Sequence, residues 1–398
     1  MTIRLNLTAL LLCCGYGTAQ SPAPTLTTIY NFASSNGGGP SPLAIGQGGV
    51  LYGTTSAGGA YGYGTVFSLT PPASPGGSWT YAVIYNFQGA SDGADPISRL
   101  TIGAGGVLYG ATGYAFGSTE IYSLTPPASP GGQWSLAVIA SFGATALSSV
   151  AVGPAGVLFA TTADGPSAGT VFALAPPESP RGSWTERTLK NFAPDGGSPA
   201  GGLALGSGPV LYGTFYGGEW ASVFALTPPA APGRAWTETV LYQFIGTGYG
   251  QPTDVVIGDS GVLYGTVYPQ GSGNGGEVYS LTPPVSEGES WTHATLYHFP
   301  PPHGDEAGPY PTGSLALGEH GTLYGTTLEG GASRLGTAYA LEPPASPGGA
   351  WTPILLHSFT GSDGLNPTGL TIGEGGILYG TTTKGGTYGY GTVFALTL

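Results

Sequence analysis

The 398-residue chain contains 74 glycines and 36 prolines, yet 40% of it is hydrophobic and 11% aromatic, which excludes a Gly/Pro-rich disordered tail and points to a folded, turn-rich protein. Only 7% of residues are charged, and at a net charge of -13 the eight basic residues are too few to neutralise a run of phosphates. Nucleic acid is excluded as a partner on that ground, and anionic polysaccharides and anionic membrane surfaces are disfavoured.

The first residues, "MTIRLNLTALLLCCGYGTAQ", combine a basic start at Arg4, an apolar run to Cys14 and small residues at Gly17 and Ala19. This is the layout of a secretory signal peptide over residues 1–19, cleaved after Ala19. Both cysteines fall inside it, so the mature chain, residues 20–398, would hold no disulfide and depend on packing. A lipoprotein reading through Cys13 is weakened by the large Leu12 before it. No later apolar run approaches the roughly 20 residues needed to span a bilayer.

Downstream, "GGVLYGTT" at residues 48–55 returns as "GGVLYGAT", "AGVLFATT", "GPVLYGTF", "SGVLYGTV", "HGTLYGTT" and "GGILYGTT". Its aromatic falls at Tyr52, Tyr109, Phe159, Tyr212, Tyr264, Tyr324 and Tyr379, a mean period of 54.5 residues. Seven copies at such a period indicate a solenoid, an array or a propeller. Each period holds four strand-like runs, a to d, as at residues 43–46, 50–55, 65–70 and 79–87. A tight glycine turn joins a to b. Strand c always ends in "PP", and proline cannot continue a paired strand. Strand d opens with tryptophan (Trp79, Trp134, Trp184, Trp236, Trp291, Trp351) and closes with phenylalanine (Phe87, Phe142, Phe192, Phe244, Phe299, Phe359). No stretch shows helical periodicity.

The ends of the chain discriminate among these architectures. The seventh copy stops at strand c, "GTVFALTL", while "TLTTIYNF" at residues 25–32 matches the strand d "TYAVIYNF" and precedes the first strand a. The expectation is an all-β, seven-bladed β-propeller with four antiparallel strands per blade, closed by pairing of the N-terminal strand with the last blade. Strand a is expected to be small and apolar around a narrow channel. The recurrent glycine of strand b (Gly53, Gly110, Gly213, Gly265, Gly325, Gly380; once Ala160) suggests close approach of a neighbouring sheet. Charged residues and Pro353 mark strand d as a half-exposed edge.

The pattern "LYGTTxxGGxxGYGTVFxLT", at residues 51–70 and again at 378–397, resembles the GloVer (Gloeo/Verruco) tandem-repeat family along essentially the whole mature chain. That resemblance implies an exported bacterial surface or extracellular protein, often with a C-terminal sorting anchor, and no agreed catalytic residues. This chain departs from it by ending at Leu398 on a predicted strand with no anchor, which argues against attachment through the C-terminus.

In a propeller the a-to-b and c-to-d connections share one face, here nearly constant, and the d-to-a and b-to-c connections share the other, here variable. Variable loops on a rigid scaffold are where binding residues concentrate. Tyr61, Tyr63, Tyr114, Phe116, Tyr216, Trp220, Tyr249, Tyr268, Tyr310, Tyr388 and Tyr390 lie on that face. Such rings suit stacking on sugars or contact with a protein, although the "GxYGYG" tyrosines would equally pack between blades. Trp220 is the one tryptophan outside the strand d series. Asp92, Asp195 and Asp363, with Asn36 in the same slot, open Asp-Gly-x-x-Pro turns in which the side chain is expected to bond its own downstream backbone. The sharper reading is a carboxylate ring at the channel mouth. The longest loop gathers His298, His303, Asp305 and Glu306, the best candidate for a metal or acid/base pair, although a solvated loop is the better explanation of such crowding. Neither "GDSG" at residues 258–261, an a-to-b turn, nor "GSGNGG" at 271–276, followed by a strand, carries its namesake chemistry.

The residues thus describe a secreted, monomeric binding module for extracellular glycan or protein, needing no cofactor. A carbohydrate-active lyase or hydrolase with carboxylates at the mouth and a purely structural surface protein are the alternatives. Near-identical blades favour binding or structure, since a catalytic centre needs one loop to differ in kind.

Overall fold

The computed structural model describes residues 23–398 apart from 75, 90, 114–116, 130, 144–145, 164–168, 180–181, 193–197, 200, 218–219, 232, 246–249, 270–274, 287, 301–309 and 347. The proposed signal peptide therefore lies outside the described residues. Seven antiparallel sheets, each ordered a-b-c-d from the axis outward, form the blades of a propeller. In blade 1, strand a is split into Gly38–Pro40 and Ala44–Ile45, and strands b, c and d are Leu51–Ala57, Thr65–Thr70 and Thr80–Asn86. Among the described residues there is no α-helix, only short 3-10 turns between strands a and b. Those turns force positive φ at Gly48, Gly105, Ala155, Ser260, His320 and Gly375. Ser260 of "GDSG" is thus a turn residue with φ 56.

The ring closes as the chain ends predicted. Blade 7 contains Leu365–Ile372, Leu378–Lys384 and Thr392–Thr397, and its strand d is the N-terminal Thr25–Asn31, paired from Thr25↔Thr397 to Asn31↔Thr392.

Blades cohere through aromatics whose register depends on a bulge. In every blade strand d carries one extra residue against strand c, at Ile29, Ile84, Ile139, Leu189, Leu241, Leu296 and Leu356. Side chains alternate along a strand, so Trp79 and Phe87, an even number of residues apart, would otherwise share a face. The bulge sends them to opposite neighbours: Trp79 meets Tyr379 of blade 7 at 5.7 Å, and Phe87 meets Tyr122 of blade 2 at 5.2 Å. Edge-to-face pairs of this kind add about 0.5–1.5 kcal/mol beyond burial. The phenylalanine contact recurs at all seven interfaces, from Phe32–Phe67 at 5.1 Å to Phe359–Phe394 at 5.2 Å.

The strand b glycine has a different cause from the one expected. The atoms nearest it belong to its own blade. A Cβ on Gly53 would lie 2.5 Å from Cζ of Phe67, its cross-strand partner in the same blade, and Gly110, Gly265 and Gly325 are covered in the same way by Tyr122, Tyr279 and Tyr339. Strand c thus lays its aromatic over the glycine of strand b.

Candidate functional site

The seven strands a converge on the axis, and the position just before each apolar run forms a ring: Pro42, Arg99, Ser149, Gly202, Asp254, Ser314 and Gly369. The expected small, apolar lining holds for the strand itself but fails at this register, which carries one cation and one anion. Five of the seven ring residues also line a second cavity, so the ring divides a cavity of about 300 Å³ toward the variable face from one of about 570 Å³ beyond it.

Arg99 of blade 2 reaches past blade 1 to blade 7, where its Nη2 donates to Thr371 Oγ1 at 3.1 Å. Thr371 in turn donates to the Leu43 carbonyl at 2.9 Å, which fixes the hydroxyl as an acceptor for Arg99. Burial lowers the guanidinium from its ordinary value, and the charge of Asp254 partly offsets that. Asp254 of blade 5 accepts from the Gly202 N–H on one oxygen and from Ser314 Oγ on the other. The two charges form no ion pair with each other or with any other described residue.

The wall beside Asp254 is stripped of side chains. A Cβ on Gly201 would clash with Asp254 Oδ1, and one on Gly202 with Ser149 Oγ. In most other blades the slot of Gly201 holds a hydroxyl that bonds strand b, as Ser41 does to Thr54 and Ser98 to Ala111. Gly201 cannot, so the buried Thr214 hydroxyl is left without a partner, 3.2 Å from where that Cβ would be.

On the variable face, Tyr61 and Tyr388 are 58% and 60% exposed. Each sits at the tip of a b-to-c turn, "GGAYGYG" or "GGTYGYG", whose next glycine, Gly62 or Gly389, has φ of 84 or 83. The turns are pinned by strand d: Asn86 Oδ1 accepts from the Ala60 N–H and Asn31 Oδ1 from the Thr387 N–H, both at 2.8 Å. Ring closure makes their blades, 1 and 7, neighbours. Tyr63 and Tyr390 are also exposed, and Tyr390 lines a cavity of about 560 Å³ with Pro42, Ile97 and Lys384, opening onto the channel. Tyr268 and Tyr310, both half-buried, stack at 5.2 Å and 28°. Tyr216 is half-buried at the end of its strand.

The turn acids are engaged, but not as expected. Asp92 is buried and accepts from the Tyr85 hydroxyl at 2.6 Å and the Gln88 N–H at 2.9 Å. Asp363 accepts from the Thr360 N–H at 2.8 Å and pairs with His357 Nε2 at 2.7 Å. Burial pushes its carboxyl up, but the bonds from Thr360 and His357 outweigh that and hold it below the ordinary 3.8. Asn36 accepts from the Ala33 N–H at 2.8 Å. The partners are thus upstream backbone and a strand d side chain rather than downstream backbone, so these turns lock the d-to-a loop onto its own blade.

Another acid escaped the sequence reading. Glu277, at the head of a strand c, is buried with His293 at 3.9 Å and His298 at 3.7 Å, and Thr295 donates to it at 3.0 Å. Burial raises the carboxyl and lowers the His293 imidazole. Among the described residues no group of three His, Cys, Asp or Glu is placed to hold a metal ion. Tyr114, Asp195, His303, Asp305, Glu306 and the side chain of Trp220 lie outside the described residues.

Comparison with known proteins bears on the family and the fold. The Gloeobacter/Verrucomicrobia repeat matches residues 15–226 and 218–398. The chain belongs to the Gloeobacter/Verrucomicrobia repeat family. This family member has no match among curated proteins. Its fold is similar to that of a periplasmic gluconolactonase from Pseudomonas aeruginosa (TM-score 0.55, 15% identity, covering 79% of this chain and 84% of that one). A polysaccharide lyase (0.54, 11%, 92% and 91%) and a Lactobacillus plantarum protein (0.52, 12%, 79% and 83%) are similar too. At these identities the likeness is one of fold. No helix among the described residues is long and apolar enough to cross a membrane.

Proposed function

We propose that this repeat protein is an exported, monomeric propeller whose variable face binds neutral glycan, without a cofactor. The observation that carries this reading is the pair of exposed rings, Tyr61 and Tyr388, presented by equivalent pinned turns on adjoining blades. A tyrosine spends little conformational entropy on binding, and its ring face suits the apolar face of a sugar. Turns held by Asn86 and Asn31 spend less still, because the platform exists before the ligand arrives. The low basic content favours a neutral ligand over a polyanion.

A hydrolase would need two free carboxyls roughly 5–10 Å apart. Asp92 and Asp363 are instead bonded within their own turns, which supports binding over hydrolysis. The test is titration of residues 20–398 with a panel of neutral glycans, following released reducing ends in the same samples. Replacing Tyr61 and Tyr388 by Ala should weaken binding by roughly 2- to 12-fold per ring, without product formation. Unaltered affinity in the double variant would overturn the platform, and product release would move the protein into the enzymes.

A further inference from the structure

We propose that the axial ring is a binding site for a small zwitterion of amino-acid chemistry, its carboxylate on Arg99 and its ammonium on Asp254. This site is separate from the tyrosine platform.

The first argument is electrostatic. Arg99 is the one cation and Asp254 the one anion in a ring otherwise made of Pro, Ser and Gly. They stand three blades apart in a ring of seven, on opposite sides of the channel. Neither is neutralised by an ion pair. A guanidinium has five N–H donors, and Arg99 spends one, on Thr371. Asp254 has received one N–H and one O–H, which leaves lone pairs on both oxygens and no cation within ion-pair distance among the described residues. A simple anion on Arg99 would face the Asp254 charge, and a simple cation on Asp254 would face Arg99. Only a ligand with both signs satisfies both walls at once.

The second argument concerns how the site is built. Blade 4 contributes Gly201, where a side chain would strike Asp254, and Gly202, where one would strike Ser149, so the backbone is bare beside the carboxylate and its ring neighbour. The same clearance costs Thr214 its hydrogen bond, leaving a buried hydroxyl without a partner beside the acid. The cavity of about 300 Å³ on the variable-face side admits a small molecule, and Lys384 lines the cavity that leads into it.

The experiment is calorimetric titration of residues 20–398 with glycine, β-alanine and γ-aminobutyrate, which grade the separation of the two charges, against acetate and methylammonium as single-charge controls. One zwitterion should bind saturably at one site per chain, at least tenfold tighter than either control. Asp254→Asn removes the negative charge at nearly constant size, and Arg99→Gln removes the positive charge together with three of the five N–H donors; each should weaken it at least tenfold, whereas Tyr61→Ala and Tyr388→Ala should leave it unchanged, so this site and the glycan platform stand or fall separately. No heat from any zwitterion at about 10 mM, acetate binding equally well, or full affinity in folded Arg99→Gln would each overturn the proposal. If a variant does not fold, comparison of the zwitterions with their single-charge controls on the unaltered protein decides.

Discussion

Tyr122, Tyr279 and Tyr339 are fully buried, and their hydroxyls have no hydrogen-bond partner among the described residues. Burial holds each phenol well above its ordinary value of 10. Four other blades fill the same slot with Phe67, Phe172, Phe224 and Phe394, so the packing already accepts a ring without oxygen. An unpartnered buried hydroxyl costs about 1–3 kcal/mol. Removing the oxygen leaves a void on the order of 10 Å³, worth about 0.2 kcal/mol at about 24 cal/mol per Å³. Each Tyr→Phe change should therefore stabilise the fold by about 1 kcal/mol or more. Tyr279 and Tyr339 lie in adjoining blades and Tyr122 in a distant one, so the triple variant tests additivity. Equilibrium urea unfolding is the assay, with the midpoint rising at unchanged slope. Destabilisation by about 1 kcal/mol at any of the three would refute the reasoning, because it would mean that the hydroxyl is bonded in solution.

Deleting residues 25–32 leaves Thr392–Thr397 as an open edge and takes Phe32 off Phe67, so the variant should unfold at modest temperature; an unchanged melting curve would contradict ring closure. Phe32→Ala alone should cost about 3–5 kcal/mol by the same assay. Two acids should give opposite pH signatures. Asp363 is held below 3.8, so its contribution is present above that value and is lost as the pH falls through the folded pKa; Asp363→Asn should flatten acid unfolding below about pH 4. Glu277 is raised above 4.5, so its penalty grows as the pH rises from there, and Glu277→Gln should gain stability relative to the native chain near neutrality but not at about pH 4.

The blade number, the strand order and the closure were legible because they depend on spacing and on two complementary chain ends. Two features of the same strands were not. Nothing in "TYAVIYNF" marks Ile84 as an inserted residue, since a bulge is a relation between two strands and only the facing register from Thr70 to Thr65 exposes it. Gly53 announced a close approach, which the sequence attributes to a neighbouring sheet and the structure to its own blade. The answer depends on Phe67 standing opposite it, which the lengths of the intervening turn and strands determine jointly.

The ring at the axis was hidden by the regularity that revealed the fold. Reading the copies for what they share selects "LAIG", "LTIG" and "LALG" and stops one residue short of a position where they differ. Aligned on that apolar run, the preceding residue reads Pro42, Arg99, Ser149, Gly202, Asp254, Ser314, Gly369, a register at which a charge is costly unless something compensates it. In a closed ring these residues, up to 327 positions apart in sequence, meet around one axis, so each substitution is read by all the others at once. A repeat protein of this kind holds its architecture in the consensus, and its chemistry has to sit where single blades depart from it. Here those departures are a cation, an acid across the channel from it, and a glycine that makes room for the acid.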